Sequence, residues 1–128
     1  MPPTNKTVLV VEDDDDARHL LTKMLQGMGH TVMAFPSGQE ALTGITGQTF
    51  DIALLDVMMP EMNGYELLEK LKEIPDFASI PVIMVTARDQ SNEILEGYSH
   101  GADYYITKPY TSKQIQYGIN IVLDEGGS

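Results

Sequence analysis

The residues predict a doubly wound α/β sandwich, a five-stranded parallel sheet with helices on both faces. Three observations predict it. Short apolar runs alternate with longer segments of helical period along the whole chain, the signature of successive βα units. The central stretch, Phe50 to Asp56, carries Ile52, Ala53, Leu54 and Leu55 in unbroken succession and ends on a carboxylate, as suits a strand covered on both faces. Finally, 128 residues without cysteine are enough for one domain with a core of its own, so no disulfide staple is required.

Each element follows from its local chemistry. Thr7 to Val11 reads as the first strand, and Ala17, Leu20, Leu21, Met24, Leu25 and Met28 recur at helical spacing before Gly29, a suitable residue for the C′ position. Thr31 to Phe35 is the second strand. Ser37 with Glu40 three residues on has the spacing of a capping box, and Ala41, Leu42 and Ile45 form the inward face of that helix. After the third strand, Asn63 caps a helix carrying Leu67, Leu68 and Leu71, with Pro75 near its end. Pro81 to Val85 is the fourth strand, and Ser91 begins a weaker helix with Ile94, Leu95 and Tyr98. Ala102 to Ile106 is the fifth strand, followed by a helix from Thr111 with Ile115, Ile119 and Val122. Gly118 within that helix costs ~1 kcal/mol relative to alanine. One domain is expected over 1–128, with an N-terminal arm at 1–6 and a flexible tail at 124–128.

Composition narrows the function. Eight basic residues face 19 acidic ones, a net charge of −11 that repels phosphate backbones and argues against direct nucleic-acid binding. No apolar run reaches the length of a membrane span, and the first residues lack the apolar region of a signal peptide, so no membrane insertion and a cytoplasmic location are expected. The first turn, Glu12-Asp13-Asp14-Asp15-Asp16, has no glycine-rich fingerprint or Walker lysine, and its charge would repel a pyrophosphate.

In an open α/β sheet, ligands bind at the carboxyl ends of the strands. Those ends here supply Glu12 and Asp13, Asp56, Thr86 and, just past the fifth strand, Lys108. Clustered carboxylates repel one another unless a cation intervenes. Mg²⁺ takes a few oxygen ligands and keeps open positions for a phosphate oxygen, so the set suits phosphoryl transfer to an aspartate. Alone, each signal is weak. Asp14, Asp15 and Asp16 are explained by the N-terminus of a helix, a strand-end threonine is usually structural, and a lysine is usually a solvated surface group. His19, His30 and His100 have no ligand spacing. Met58, Met59 and Met62 read as loop packing.

Together, Val8-Leu9-Val10-Val11-Glu12-Asp13, Leu54-Leu55-Asp56-Val57-Met58-Met59-Pro60 with Asn63-Gly64, Val85-Thr86-Ala87, and Lys108-Pro109 resemble the receiver domain of two-component response regulators, over essentially the whole chain. The resemblance implies a flavodoxin-like (βα)5 sandwich with sheet order 2-1-3-4-5. It implies Asp56 as phosphoacceptor, with Thr86 and Lys108 assisting, and Mg²⁺ (Mn²⁺ as a substitute) held by Asp13, Asp56, the Met58 backbone carbonyl and, through water, Glu12. Thr86 and Tyr105 are implied as the switch pair, and the Lys108–Pro109 bond as cis. The implied partners are a sensor histidine kinase or histidine phosphotransfer protein and a downstream protein target. Readout is expected at the face of the fourth helix, fifth strand and last helix, with Tyr98, Tyr104, Tyr110 and Tyr117 on or near those elements, either in ordinary packing or in partner contact. A phosphorylation-dependent dimer through that face is also implied.

Glu12 stands where some members carry Asp, and Met58 and Arg88 occupy positions that tune dephosphorylation in the family. Two rival readings remain open. A haloacid-dehalogenase-like phosphatase would place a second acid two residues after the nucleophile, where this chain has Met58. A phosphorylation-independent docking module of the same fold would not need the full acidic set. A stand-alone regulator is expected over a receiver cut from a longer chain.

Overall fold

Five parallel strands form one sheet, the second in sequence at one edge, followed across the sheet by the first, third, fourth and fifth. The structure, a computed structural model, describes residues 5–87 and 101–127. The elements are β1 (Thr7–Val11), α1 (Asp15–Gly27), β2 (Thr31–Phe35), α2 (Gly38–Gly44), β3 (Ile52–Asp56), α3 (Gly64–Glu73), β4 (Val82–Ala87), β5 (Tyr104–Lys108) and a C-terminal helix (Ser112–Gly127). The helix expected from Ser91, with Ile94, Leu95 and Tyr98, lies outside the described residues, as do Arg88 and His100.

Alternation along the strands sorts the core into two halves. Leu9, Val11, Ala53, Leu55, Val82 and Met84 pack on one face of the sheet against Ala41 of α2, its C-cap Ile45, and Leu67, Leu68 and Leu71 of α3. Val8, Val10, Ile52, Leu54 and Ile83 point to the other face, against Leu21 and Leu25 of α1 and Ile115, Ile119 and Val122 of the C-terminal helix. Successive residues of β1 and β3 are thus buried on both sides, which is why those strands read as continuous apolar runs. Each fully buried leucine or isoleucine contributes roughly 2 kcal/mol of apolar transfer free energy.

The caps match the side-chain chemistry. Ser37 accepts from the Glu40 N–H at 3.1 Å. Asn63 and Glu66 form a reciprocal capping box, with bonds of 2.9 and 3.0 Å. Thr111 and Gln114 make the same exchange at the start of the C-terminal helix. Gly29 has φ of 92° directly after the Met28 C-cap of α1.

Three expectations shift. β4 and β5 each run two residues further toward their carboxyl ends than the apolar runs suggest. Pro81 has no N–H for the ladder, and the Asp103 carboxylate takes the Val82 N–H at 2.8 Å, so both strands start later. Lys108 is accordingly the last residue of β5 rather than a loop residue beyond it. Leu20, expected inward, is 54% exposed. It lies one residue, about 100°, from the Leu21–Leu25 stripe, on the flank of α1.

Gly64 sets how close α3 comes to the carboxyl end of β3. A Cβ there would collide with the Asp56 carbonyl oxygen and lie 2.7 Å from the Met84 methyl. Gly64→Ala should destabilise the fold by about 2–3 kcal/mol, seen as an earlier midpoint in urea unfolding with unchanged slope. At the opposite end of the sheet, buried His30 accepts the Lys6 N–H at Nδ1, 3.3 Å away. Burial first, and the Lys6 charge second, hold its pKa below the ordinary value. A group depressed in this way stabilises the fold above the unfolded-state pKa of about 6.5, and that stability is lost as pH falls through the folded pKa. His30→Gln should therefore narrow its stability gap to the parent protein between pH 7.5 and 5.5, measured by denaturant titration at both values.

Candidate functional site

Register, rather than proximity in sequence, assembles the site. Val11 pairs with Leu55 across β1 and β3, so the residues that follow each of them, Glu12 and Asp56, emerge side by side. Asp56 also sits opposite Val85, which places Thr86 one residue further along the neighbouring strand. Ala87 pairs with Lys108, which brings the lysine to the same rim. Glu12, Asp56 and Thr86 are all buried, at 3%, 5% and 0% exposure, and among polar and charged side chains they share that state only with His30 in the described residues.

The charges are arranged tightly. Lys108 Nζ donates to Glu12 Oε1 at 2.9 Å and lies 3.4 Å from Asp56 Oδ1. The other Glu12 oxygen, Oε2, accepts the Asp14 N–H at 3.2 Å. Glu12, Asp13 and Asp56 each offer a carboxylate oxygen to one small volume, the three atoms lying within 4.8 Å of one another. Asp13 is the exposed member of the three. This is a hard, all-oxygen donor set of the kind that suits Mg²⁺ rather than a soft metal. Thr86 Oγ1 donates to the Ala87 carbonyl at 3.4 Å. The Lys108–Pro109 peptide bond is cis.

Two carboxylates and one ammonium cannot balance. Burial raises the pKa of Asp56, the neighbouring Glu12 carboxylate raises it further, and Lys108 offsets only part of this, leaving it at about 7. Burial pushes Glu12 upward too, but Lys108, Asp56 and the Asp14 N–H outweigh it and hold the pKa below the ordinary value. The two neighbouring carboxyls are thus pushed in opposite directions, Asp56 up and Glu12 down. Burial opposes the ammonium form of Lys108, yet Glu12 and Asp56 raise its pKa on balance.

Tyr65 and Arg18 escaped the sequence reading, and the tyrosines it named take defined places near this rim. Tyr110 packs with the core half that contains β1 and the C-terminal helix. Burial first, and then the Glu12 charge, raise its phenol pKa. Tyr105 donates to the Tyr65 hydroxyl at 3.0 Å, a pairing across 40 residues. Tyr104, Tyr105 and Tyr117 line a cavity of about 450 Å³ with Thr107, Lys113 and Gln114. That cavity is apart from the carboxylates. Arg18 Nη1 donates to the Glu12 carbonyl at 3.0 Å. Its only sequence signal is being the one basic residue in the acidic turn and the start of α1.

Comparison with known proteins places these features in context. Residues 8–120 match the family model described as the response regulator receiver domain. The transcriptional regulatory protein RprY of Bacteroides fragilis is 34% identical over 116 residues, 91% of this chain and 48% of that protein. The heme response regulator HssR of Staphylococcus saprophyticus is 38% identical over 117 residues, 91% of this chain and 51% of that one. This chain thus spans about half the length of the curated relatives it matches. Among solved structures, a putative response regulator from Chloroflexus aurantiacus superposes with a TM-score of 0.89 at 30% identity, covering 94% of this chain and 99% of the other. Chemotaxis protein CheY4 of Vibrio cholerae gives 0.88 at 27% identity, with 93% and 99% covered.

Asp56→Asn removes the buried like charge while leaving Lys108 paired with Glu12. A carboxyl raised from 3.8 to about 7 weakens the fold progressively as pH rises through that window, because the unfolded chain loses its proton first. Without divalent cation, the variant should be more stable than the parent by about 2 kcal/mol at pH 8, or ~5 °C in melting temperature. The gain should shrink toward pH 4–5, as followed by circular dichroism melts.

Proposed function

The chain belongs to the response regulator receiver domain family, and from that premise we propose that it is a phosphorylation-activated switch whose acceptor is Asp56. The observation that carries the proposal is the buried Asp56 carboxyl held between Glu12 and Lys108 and within reach of Asp13. The donor is a phosphohistidine of a sensor kinase or histidine phosphotransfer protein, which sets the reaction in the cytoplasm. An Asp56 carboxylate oxygen attacks phosphorus, the P–N bond breaks, and the departing imidazole nitrogen takes up a proton.

Asp13, Asp56 and the Met58 backbone carbonyl would hold Mg²⁺, or Mn²⁺, directly, with Glu12 acting through water. That role suits Glu12, since both of its oxygens already accept hydrogen bonds. When bound, the cation supplies positive charge that keeps Asp56 ionised and neutralises the incoming phosphoryl oxygens. Lys108 exchanges its Asp56 contact for a phosphoryl oxygen. Thr86 gives up its bond to the Ala87 carbonyl and donates to another phosphoryl oxygen. Its inward movement opens space beside β5 for Tyr105, which leaves the Tyr65 hydroxyl.

The change is a population shift, and phosphate can move the balance only by as much as it stabilises the active form over the inactive one. Readout at β5 and the C-terminal helix, to a downstream protein target or to a second copy of the chain, fits the partly exposed tyrosines of that face. One receiver domain fills 1–128, and the chain catalyses only its own phosphorylation and dephosphorylation. Met58 Sδ and Cε replace the second acid that a phosphatase of the haloacid-dehalogenase type would need at that position.

Incubation with Mg²⁺ and a small acyl phosphate should add one phosphoryl group by intact mass. Asp56→Asn or removal of divalent cation should abolish the adduct, and Lys108→Met should slow its formation by roughly 100-fold, about the loss expected for one charged oxyanion-stabilising donor. An unmodified parent protein would instead favour a docking module of the same fold, and steady release of phosphate from added phosphoesters would favour the phosphatase.

A further inference from the structure

We infer that Arg18 is a positioning residue for the cation site, fixing the peptide plane that precedes Asp13. The inference rests on the metal-dependent reading of Asp13 and Asp56 given above. The Glu12 carbonyl and the Asp13 N–H belong to one planar peptide unit. Arg18 Nη1 grips that carbonyl at 3.0 Å, from a residue six positions away on α1. Holding the carbonyl fixes the plane, and with it the backbone from which the Asp13 carboxylate projects.

The surrounding bonds make the turn a closed loop. The Glu12 carboxylate holds the Asp14 N–H at 3.2 Å, and Asp14 Oδ1 caps α1 by accepting the Ala17 N–H at 2.8 Å. The Arg18 N–H bonds the Asp14 carbonyl at 2.9 Å. The Arg18 side chain then returns from α1 to the point where β1 ends. Its second arm reaches Asp15 Oδ1 at 2.5 Å, but that carboxylate is 85% exposed. An ion pair so open to water adds little to stability. The half-buried arm on the Glu12 carbonyl is therefore the one that matters.

Two effects of the guanidinium oppose each other, and their signs differ. As a bare positive charge near the carboxylates, Arg18 would weaken cation binding, so its removal would tighten it by about twofold after screening. As a positioning group it would strengthen binding, and losing a group that orients a metal ligand costs roughly 10–100-fold. The geometry points to the second effect as the larger.

The test is Mg²⁺ titration of the full chain by calorimetry, comparing the parent protein with Arg18→Met, Arg18→Lys and Asp15→Asn. The expected result is a Kd raised about 10-fold in Arg18→Met and partly recovered in Arg18→Lys, whose single ammonium keeps the charge but not the fork. Asp15→Asn should change the Kd by no more than about threefold, the size of a screened surface charge. Phosphorylation of Arg18→Met by a small acyl phosphate should fail at low Mg²⁺ and return to the parent rate at saturating Mg²⁺, a split that a general loss of folding would not produce. Should Arg18→Met melt below the assay temperature, Arg18→Lys alone decides, and a parent-like Kd in it would overturn the positioning role. An Arg18→Met Kd that is unchanged or tighter would also overturn it while leaving the cation site intact. No Mg²⁺ binding by the parent protein would remove the site itself, and this inference with it.

Discussion

A single ammonium set between two buried carboxylates is the constraint from which the rest of this structure follows. Lys108 reaches Glu12 and Asp56 at once, yet one positive charge leaves the trio with a net deficit. Burial makes that deficit costly, because water cannot screen it. The molecule meets the cost partly by keeping a proton on Asp56 near neutrality. A group left in this state favours any species that brings positive charge to the carboxylates, or that spreads their negative charge over more oxygens. That imbalance is what the proposed cation and phosphoryl group would relieve.

Such a site can exist only on a frame that does not relax around it. The strand ends that carry Glu12, Asp56, Thr86 and Lys108 belong to four adjacent strands of one ladder, covered on both faces by close-packed aliphatic side chains. Moving Glu12 away from Asp56 would require shifting the β1–β3 register, and a slip of one residue would turn every buried side chain of the strand to the wrong face. Gly64 adds a second restraint by letting α3 close directly onto the Asp56 carbonyl. The repulsion is therefore stored at the rim instead of being dispersed through the fold. The apolar core supplies the stability that the rim gives up.

Most of the frame could be read from the sequence, because it rests on short-range patterns. Apolar runs covered on both faces marked the parallel strands. Ser37, Asn63 and Thr111 marked helix starts through bonds only three residues long. Errors arose where a distant group decided the outcome. The starts of β4 and β5 depend on the Asp103 side chain at the Val82 N–H, 21 residues away. Leu20 obeys helical spacing but sits on the flank of α1, a matter of which stripe the sheet selects. The meeting of acidic and basic side chains at one edge was foreseeable from strand ends alone. The opposite directions in which Asp56 and Glu12 are pushed were not, since they depend first on how each is buried and then on the contacts among Glu12, Asp56 and Lys108. Tyr65 beneath Tyr105, and Arg18 on the Glu12 carbonyl, leave no periodic trace in the sequence for the same reason.

These contacts also suggest why chemistry at the rim can be felt elsewhere. Thr86 is fully buried and one residue from the end of β4, and its neighbour in register is Thr107 on β5, between Ile106 and Lys108. A hydroxyl with no room to move by itself can change partner only if something beside it gives way. Tyr105 lies two residues back along that strand, on the same face as Thr107, and its bond to Tyr65 is a neutral one between hydroxyls, worth about 1 kcal/mol. The charged contacts of Lys108 are stronger and the aliphatic packing behind them is collectively stronger still. Under the proposed switch, a change of charge at Asp56 would act on the neutral tyrosine pair before the charged contacts of Lys108 or the aliphatic packing, and movement would be directed toward β5 and the C-terminal helix instead of back into the core.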